Sequence, residues 1–263
     1  MKPNYKNWVP MGMVIGLTAA AVLVGALLIV FGIVGLGMSG TAHTALTCVL
    51  AVAFAACAAF AGWAVMAYCA FSYEGKRQLS KQIVEGTANY VKLPEGGKGL
   101  DVGCGSGALT IACAKRNPRA QMVGIERWGA EYASFSKQLC EQNAAAEDVK
   151  NVSFMKGDAV KLDFPDGSFD AVTSNYVYHN ITGVDKQALL RETLRVLKKG
   201  GSFAIHDLMS PARYGDMRAF VDELRRQGYA RVELIDTTDG KFMTRGEARR
   251  LMLGGSTLLV GQK

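Results

Sequence analysis

Charge is distributed so unevenly along this chain that two physical environments are required. Before Ser72 only Lys2 and Lys6 carry charge, while the remainder reads as an ordinary charged globular sequence. Residues 11–37 and 42–71 contain no Asp, Glu, Lys or Arg, and each run exceeds the roughly 20 apolar residues that cross a bilayer core. At about 1.5 Å of rise per residue each run can reach about 40 Å, so tilt or extension past the hydrocarbon is expected. The link Met38-Ser39-Gly40-Thr41 permits only an antiparallel hairpin. Lys2 and Lys6 precede the first run, Lys76, Arg77 and Lys81 follow the second, and the link is uncharged. The bias of positive charge towards the inside predicts a protein crossing the cell membrane twice, with both termini and the following domain cytoplasmic.

The flanks support that reading. Trp8, Tyr68 and Tyr73 lie where an interfacial aromatic belt is expected, although Trp63 sits deeper. The first run is too long for the apolar core of a cleaved signal peptide, and no clear A-x-A site follows it. Two such helices buried as a hairpin in a soluble fold would leave too much apolar surface exposed. Gly12 and Gly16 form a G-x-x-x-G, and the second run is rich in alanine. Close helix packing is therefore expected, within one hairpin or between the chains of a homo-oligomer.

From Tyr73 onward about 190 residues remain, a length suited to one domain with a single large core and no second soluble domain. The net charge of +7 comes from basic residues interspersed with acidic ones, which speaks for a membrane surface rather than for nucleic acid. Of six cysteines, Cys48, Cys57 and Cys69 lie in apolar sequence, and Cys104, Cys113 and Cys140 lack paired metal-ligand spacing. They read as small buried residues of a reducing compartment, and no metal site is expected.

Within this second part, short apolar runs alternate with helical patterns, the rhythm of an α/β fold with a mostly parallel sheet covered on both faces. Strands are predicted near residues 99–102, 121–125, 152–155, 170–174, 202–208, 231–235 and 257–260. A helix over 185–197 puts Leu190, Leu194 and Leu197 on one face and closes at Gly200 and Gly201, and a second over 214–227 stops at Gly228. The last two strands follow the final long helix, which suggests a C-terminal antiparallel element.

The most informative stretch runs Leu100-Asp101-Val102-Gly103-Cys104-Gly105-Ser106-Gly107, where a buried strand ends in alternating glycines and a helix begins. Missing side chains let backbone approach a ligand, and free amides at a helix start favour its negative groups. Dinucleotide-binding proteins use a similar turn. Here Glu126 ends the second strand, Gly157-Asp158-Ala159 ends the third, and Phe169-Asp170-Ala171-Val172 opens the fourth.

Taken in order, D-V-G-C-G-S-G, G-I-E, G-D-A, F-D-A-V and R-E-T-L-R-V-L-K-K-G-G resemble the class I, seven-stranded, Rossmann-like S-adenosylmethionine (SAM) dependent methyltransferases. The resemblance spans nearly all of residues 73–263. It implies that Asp101 and the turn Gly103, Cys104, Gly105, Ser106 and Gly107 surround the methionine part of SAM, and that Glu126 accepts hydrogen bonds from both ribose hydroxyls. It further implies that Asp158 binds the adenine amino group beside the Ala159 amide, after Gly157, and that Asn175 lines the reaction site. Members often carry an apolar adenine-stacking residue directly after the ribose acid. Here Arg127 intervenes before Trp128, so either side chain can stack. Tyr73 can bend over the cofactor as the family's leading helix does, or serve only as an interfacial anchor.

A sulfonium methyl is already activated, so the protein must mainly align the acceptor and exclude water. Ser174 to Asn180 follow strand four, which puts Asn175, Tyr178 and His179 over the presumed methyl position, with His179 the candidate base by its ordinary pKa. His206 and Asp207 end strand five on the same side, to contact substrate or to hold a helix terminus. Residues 242–252 mix basic and apolar side chains and can lie on a membrane as a lid or form an ordinary solvated helix. Membrane attachment favours a small hydrophobic or amphipathic acceptor: a lipid, an isoprenoid quinone, or a lipophilic thiol or amine. Two other readings stay open, a nucleotide-cofactor (NAD or NADP) oxidoreductase and a noncatalytic SAM-binding membrane scaffold.

Overall fold

The computed structural model describes residues 2–129 and 135–263. Contacts divide the chain into two units: Lys6–Lys81, and a sheet domain that joins the residues up to Tyr5 to Gln82–Lys263.

The first unit is a helical hairpin of α1 (Met11–Leu27) and α2 (Gly40–Phe71). The end of the first helix changes winding, with a π-helical turn over Leu28–Val34 and a 3-10 turn over Gly35–Gly37. Leu36, at φ 44°, breaks the helix there. The helical runs Met11–Gly37 and Gly40–Phe71 are each long and apolar enough to cross a membrane, and large apolar side chains such as Ile15, Val22, Ile33 and Val52 stand exposed along them. The expected close approach at Gly12 and Gly16 is not where the hairpin packs, since a Cβ at either would meet nothing within 4 Å among the described residues. The helices approach instead at Gly25, where a Cβ would lie 3.0 Å from Phe54, and at Gly32, where it would lie 3.2 Å from Thr47.

After α3 (Leu79–Ala88), the sheet domain alternates β1 (Lys98–Val102), α4 (Ala108–Arg116), β2 (Gln121–Glu126), α5 (Lys137–Ala146), β3 (Val152–Lys156) and β4 (Phe169–Asn175). It continues with α6 (Lys186–Arg195), β5 (Leu197–Leu208), α7 (Pro211–Tyr214), α8 (Met217–Arg226), β6 (Ala230–Asp236), α9 (Arg245–Arg250) and β7 (Ser256–Gln262). The seven strands lie in the order β3-β2-β1-β4-β5-β7-β6. The first five are parallel, and β7 inserts antiparallel between β5 and β6. All seven expected strands are present, as is the antiparallel C-terminal element.

Successive residues of a strand point to opposite faces, and each face has its own core. Phe203 and Ile205 of β5 join Leu190 and Leu194 of α6 and Phe220 and Leu224 of α8. Ala204, between them, joins Ile111 of α4 and Cys140 of α5 on the other side. Asp185 caps α6 through the Ala188 amide at 2.7 Å. That helix ends at Arg195 and not at Leu197, because Leu197 already pairs with Phe169 as the start of β5. The second long helix starts at Met217 and not at Tyr214, because Gly215 takes φ 68° and Asp216 then caps the Arg218 and Ala219 amides.

Chain order reverses between β1 and β4, the point at which sheets of this kind leave a crevice beyond the carboxyl ends of their strands. Residues 242–252 do not form a free lid. Met243, Ala248 and Leu251 are buried in the domain, and only the six residues of α9 are helical.

Candidate active site

At the β1 tip, Gly103, Gly105 and Gly107 all take positive φ, at 73°, 54° and 82°. At Gly103 a Cβ would also fall 2.4 Å from the Val177 side chain, so two independent constraints require glycine there. At Gly105, among the described residues, a Cβ would meet only Phe135, at 4.0 Å.

Glu126, at the β2 tip, reaches this turn. Its Oε2 accepts from the Gly105 amide at 3.0 Å, and its Oε1 from the Arg127 amide at 2.8 Å. Beneath the turn, the Cys104 thiol is pushed well above its usual pKa by its hydrogen bond with Cys140 and by burial. The Cys140 thiol donates to the Gly105 carbonyl at 3.2 Å.

Asp101 faces inward. Its carboxylate is buried between two hydroxyls, Thr110 Oγ1 at 2.6 Å and Thr173 Oγ1 at 2.8 Å. Burial raises its pKa to about 6 against the lowering effect of the two threonines. Asp101 thus ties β1 to α4 and β4, rather than standing open to a ligand. Ser106 is also engaged by protein, its hydroxyl donating to the Tyr5 carbonyl at 2.9 Å.

Further along the crevice, Gly157 donates its amide to the Glu126 carbonyl at 3.1 Å. Asp158 is exposed at the end of β3, accepting from the Val160 amide at 2.9 Å, and Ala159 is half-buried beside it. Of the two residues able to stack on a base, Arg127 is exposed. Trp128 is half-buried against the core, takes φ 43°, and has a buried Nε1 with no partner among the described residues. Tyr73 falls in the helical unit.

The tips of β4 and β5 carry two connected networks. Asp207, buried at the β5 end, accepts four bonds. Oδ2 takes the amides of Tyr178 at 2.8 Å and His179 at 3.2 Å, and Oδ1 takes the Leu208 amide at 2.6 Å and His179 Nδ1 at 2.5 Å. Burial alone would raise the Asp207 pKa, but the hydrogen bond and charge of His179 hold it below its ordinary value. An ionised carboxylate only accepts, so the His179 Nδ1–H donates to Asp207, which orients the partly exposed ring.

The second network is wholly internal. His206 Nδ1 meets Asn175 Oδ1 at 2.9 Å, and its Nε2 meets Thr237 Oγ1 at 2.9 Å and Ser256 Oγ at 3.0 Å. Burial lowers the His206 pKa to about 3, so the ring is neutral. Tyr176, at φ 55°, packs its ring 4.7 Å from that of His206 and bonds Ser256 through its hydroxyl. Tyr178, expected over the acceptor, is instead a core residue with no exposed surface, its hydroxyl 2.6 Å from Thr193 Oγ1 of α6.

Sequence reasoning missed the pairing of His179 with Asp207, which lie 28 positions apart. It also missed Thr237 and Ser256, and Asn143 of α5. The one available signal for Asn143 is a polar residue among the buried positions Cys140 and Ala144 of its helix.

Comparison with known proteins bears on this geometry. Residues 100–205 match a family model described as Methyltransferase domain. The demethylmenaquinone methyltransferase of Geobacillus sp. (strain WCH70) is 32% identical over 135 residues, 50% of this chain and 53% of that protein. The ubiquinone/menaquinone biosynthesis C-methyltransferase UbiE of Desulfotalea psychrophila is 30% identical over 165 residues, 63% of this chain and 60% of its own length. The chain spans about half the length of the first of these relatives. Among solved structures, geranyl diphosphate methyltransferase in complex with GPP and sinefungin superposes with TM-score 0.55 at 16% identity, covering 74% of this chain and 81% of that one. The [4+2]-cyclase SpnF superposes with TM-score 0.53 at 20% identity, covering 71% and 82%. The fold is thus shared by a methyltransferase and a cyclase. The family match covers residues 100–205, the stretch that carries the glycine turn, Glu126, Asp158 and the tips of β4 and β5 up to Ile205.

Proposed function

We propose that this chain is a SAM-dependent methyltransferase, held at a membrane by its two apolar helices, that methylates a small lipophilic acceptor of the quinol type. The observation that carries the reading is the union of a matched methyltransferase domain with a glycine turn gripped by Glu126 at the reversal point of the sheet.

The residues present fit the donor. Gly103, Gly105 and Gly107 give the turn three positions without side chains, and among the described residues a Cβ at Gly105 would meet only Phe135. Glu126 keeps carboxylate lone pairs beyond those used by the two amides, enough to accept from ribose hydroxyls. Asp158 is exposed at the neighbouring tip, and the Trp128 indole, half-buried and with an Nε1–H that has no partner among the described residues, offers a face and a donor to the base. Asp101 acts by bracing the strand beneath the turn. The donor supplies an electrophilic methyl whose transfer leaves a neutral thioether.

What the chain itself adds is alignment and a base. Asp207 pins the Tyr178 and His179 amides and orients the His179 ring, so that Nε2 can take a proton from an acceptor hydroxyl. Deprotonation makes the acceptor's oxygen, or the ring carbon conjugated with it, the nucleophile, and attack through carbon is completed when that carbon loses its own proton and the ring is restored as a quinol. His206 fixes the Asn175 carbonyl oxygen, which leaves the Asn175 amide protons for the reaction site. The relatives' names, demethylmenaquinone methyltransferase and ubiquinone/menaquinone C-methyltransferase, favour carbon as the attacking atom. The exposed apolar faces of α1 and α2 favour a membrane as their surroundings, and so an acceptor that partitions there. The flanking positive charges favour a cytoplasmic sheet domain.

Incubating the full chain with methyl-labelled SAM and a membrane lipid extract tests the reading. Label should enter an organic-soluble quinol, with the methyl on a ring carbon. Label confined to water-soluble amines or thiols, or absent from every product, contradicts it.

A further inference from the structure

The glycine turn has a support that the methyltransferase reading does not require. Residues ahead of the first apolar helix fold back onto it. Asn143 of α5, 1% exposed, accepts from the Asn4 amide through Oδ1 at 2.6 Å and donates through Nδ2 to the Asn4 carbonyl at 3.1 Å. The same Nδ2 donates to the Ser106 carbonyl at 2.9 Å. Ser106 Oγ donates to the Tyr5 carbonyl at 2.9 Å, and the Tyr5 hydroxyl to Glu147 Oε1 at 3.1 Å. Tyr5, like Trp128, also packs against the core cluster to which Cys140 belongs.

We propose that residues 2–5 are a strap that positions the glycine turn for the donor, with Asn143 as its clamp. A turn with three glycines at positive φ has few side chains of its own to hold it, and each glycine has much backbone freedom to lose when a ligand orders it. Ser106 lies between two of those glycines, and both its carbonyl and its hydroxyl are held by the Asn143 and Tyr5 contacts. Glu126 holds the same turn from the other side through Gly105. The cost of ordering the turn is thus met on folding, and the donor binds a formed cradle. Asn143 and residues 4 and 5 act through Ser106, so they are positioning residues. The inference rests on the donor assignment above.

The test uses S-adenosylhomocysteine (SAH) as probe, with calorimetry and amide hydrogen exchange on the full chain. Three forms are compared: the wild type, Asn143→Asp, which keeps the acceptor and loses both donated bonds, and a chain lacking only residues 2–5. Each variant should weaken SAH tenfold or more, and combining them should weaken it less than the product of the two. Exchange should rise at residues 103–107 and not in β5 or β7, and saturating SAH should restore protection. Should Asn143→Asp fail to fold, Ser106→Ala, which removes only the hydroxyl bond to Tyr5, should weaken SAH several-fold. Variants that bind SAH within twofold of the wild type overturn the strap, as does exchange rising across the whole sheet in step with affinity. A wild type that binds no SAH overturns the donor assignment itself, and the strap with it.

Discussion

Asp207 ties the tips of β4 and β5 together, because one buried carboxylate orients the His179 ring and anchors the Tyr178 and His179 amides. Asp207→Asn keeps the shape but replaces one acceptor oxygen with a donor, so the His179 ring loses its fixed tautomer. We expect kcat to fall by about 10²-fold or more with SAH affinity unchanged, as for loss of a positioned base. An unchanged kcat would remove His179 from the chemistry. Two other buried groups set the acid behaviour of the fold, with opposite sign. His206, lowered to about 3, leaves the unfolded chain binding the extra proton, so its contribution to stability is lost as pH falls below about 6.5. Asp101, raised to about 6, binds its proton more tightly when folded, so its contribution falls as pH rises from about 4 to 6, by about 3 kcal/mol. Asp101→Asn should therefore steepen the loss of stability on acidification, and His206→Gln should flatten it. Denaturant titrations between pH 4 and 7 read both slopes, and equal slopes in all three proteins would contradict the assignment. The glycines and Glu126 were legible in sequence by their order along the chain. Tyr178 was misplaced because a tyrosine just beyond a strand tip looks ligand-facing, and nothing local reveals the Thr193 hydroxyl that receives it in the core.

Among the elements, the strands were the readable part, since β1, β4 and β5 have both faces covered and show as apolar runs. Helix α5 carries no comparable signal. Its buried face is Cys140, Asn143 and Ala144, too small and too polar to form an apolar stripe. The ends of α6 and α8 were misread because strand pairing at Leu197 and the reversal at Gly215 override the helical pattern. The turn after β1 makes a prediction of its own. Gly103→Ala imposes both a positive φ and an overlap with Val177, and should destabilise the domain by about 2 to 4 kcal/mol. Adding Val177→Ala should recover the overlap and not the backbone cost. Full recovery in the double variant, measured by denaturant midpoint, would show that the φ of 73° carries no strain.

For the whole molecule, contacts separate Lys6–Lys81 from Gln82–Lys263, with the residues up to Tyr5 returned to the sheet domain. That return was not legible, because Asn4 and Tyr5 lie in a short polar stretch with no pattern. If α1 and α2 span a bilayer, the full chain should sediment with membranes and stay there through an alkaline carbonate wash that strips peripheral proteins. Release into the wash would contradict the two-span reading. We assign the crevice at the tips of β1, β2 and β3 to a sulfonium nucleoside and not to a nicotinamide dinucleotide. Titration calorimetry of the purified chain distinguishes the two. The wild type should bind SAH and not NAD or NADP, and Glu126→Ala and Asp158→Ala should each lose about 1.5 to 3 kcal/mol of that affinity. Binding of NAD or NADP without SAH, or SAH affinity unmoved by both substitutions, would contradict the account.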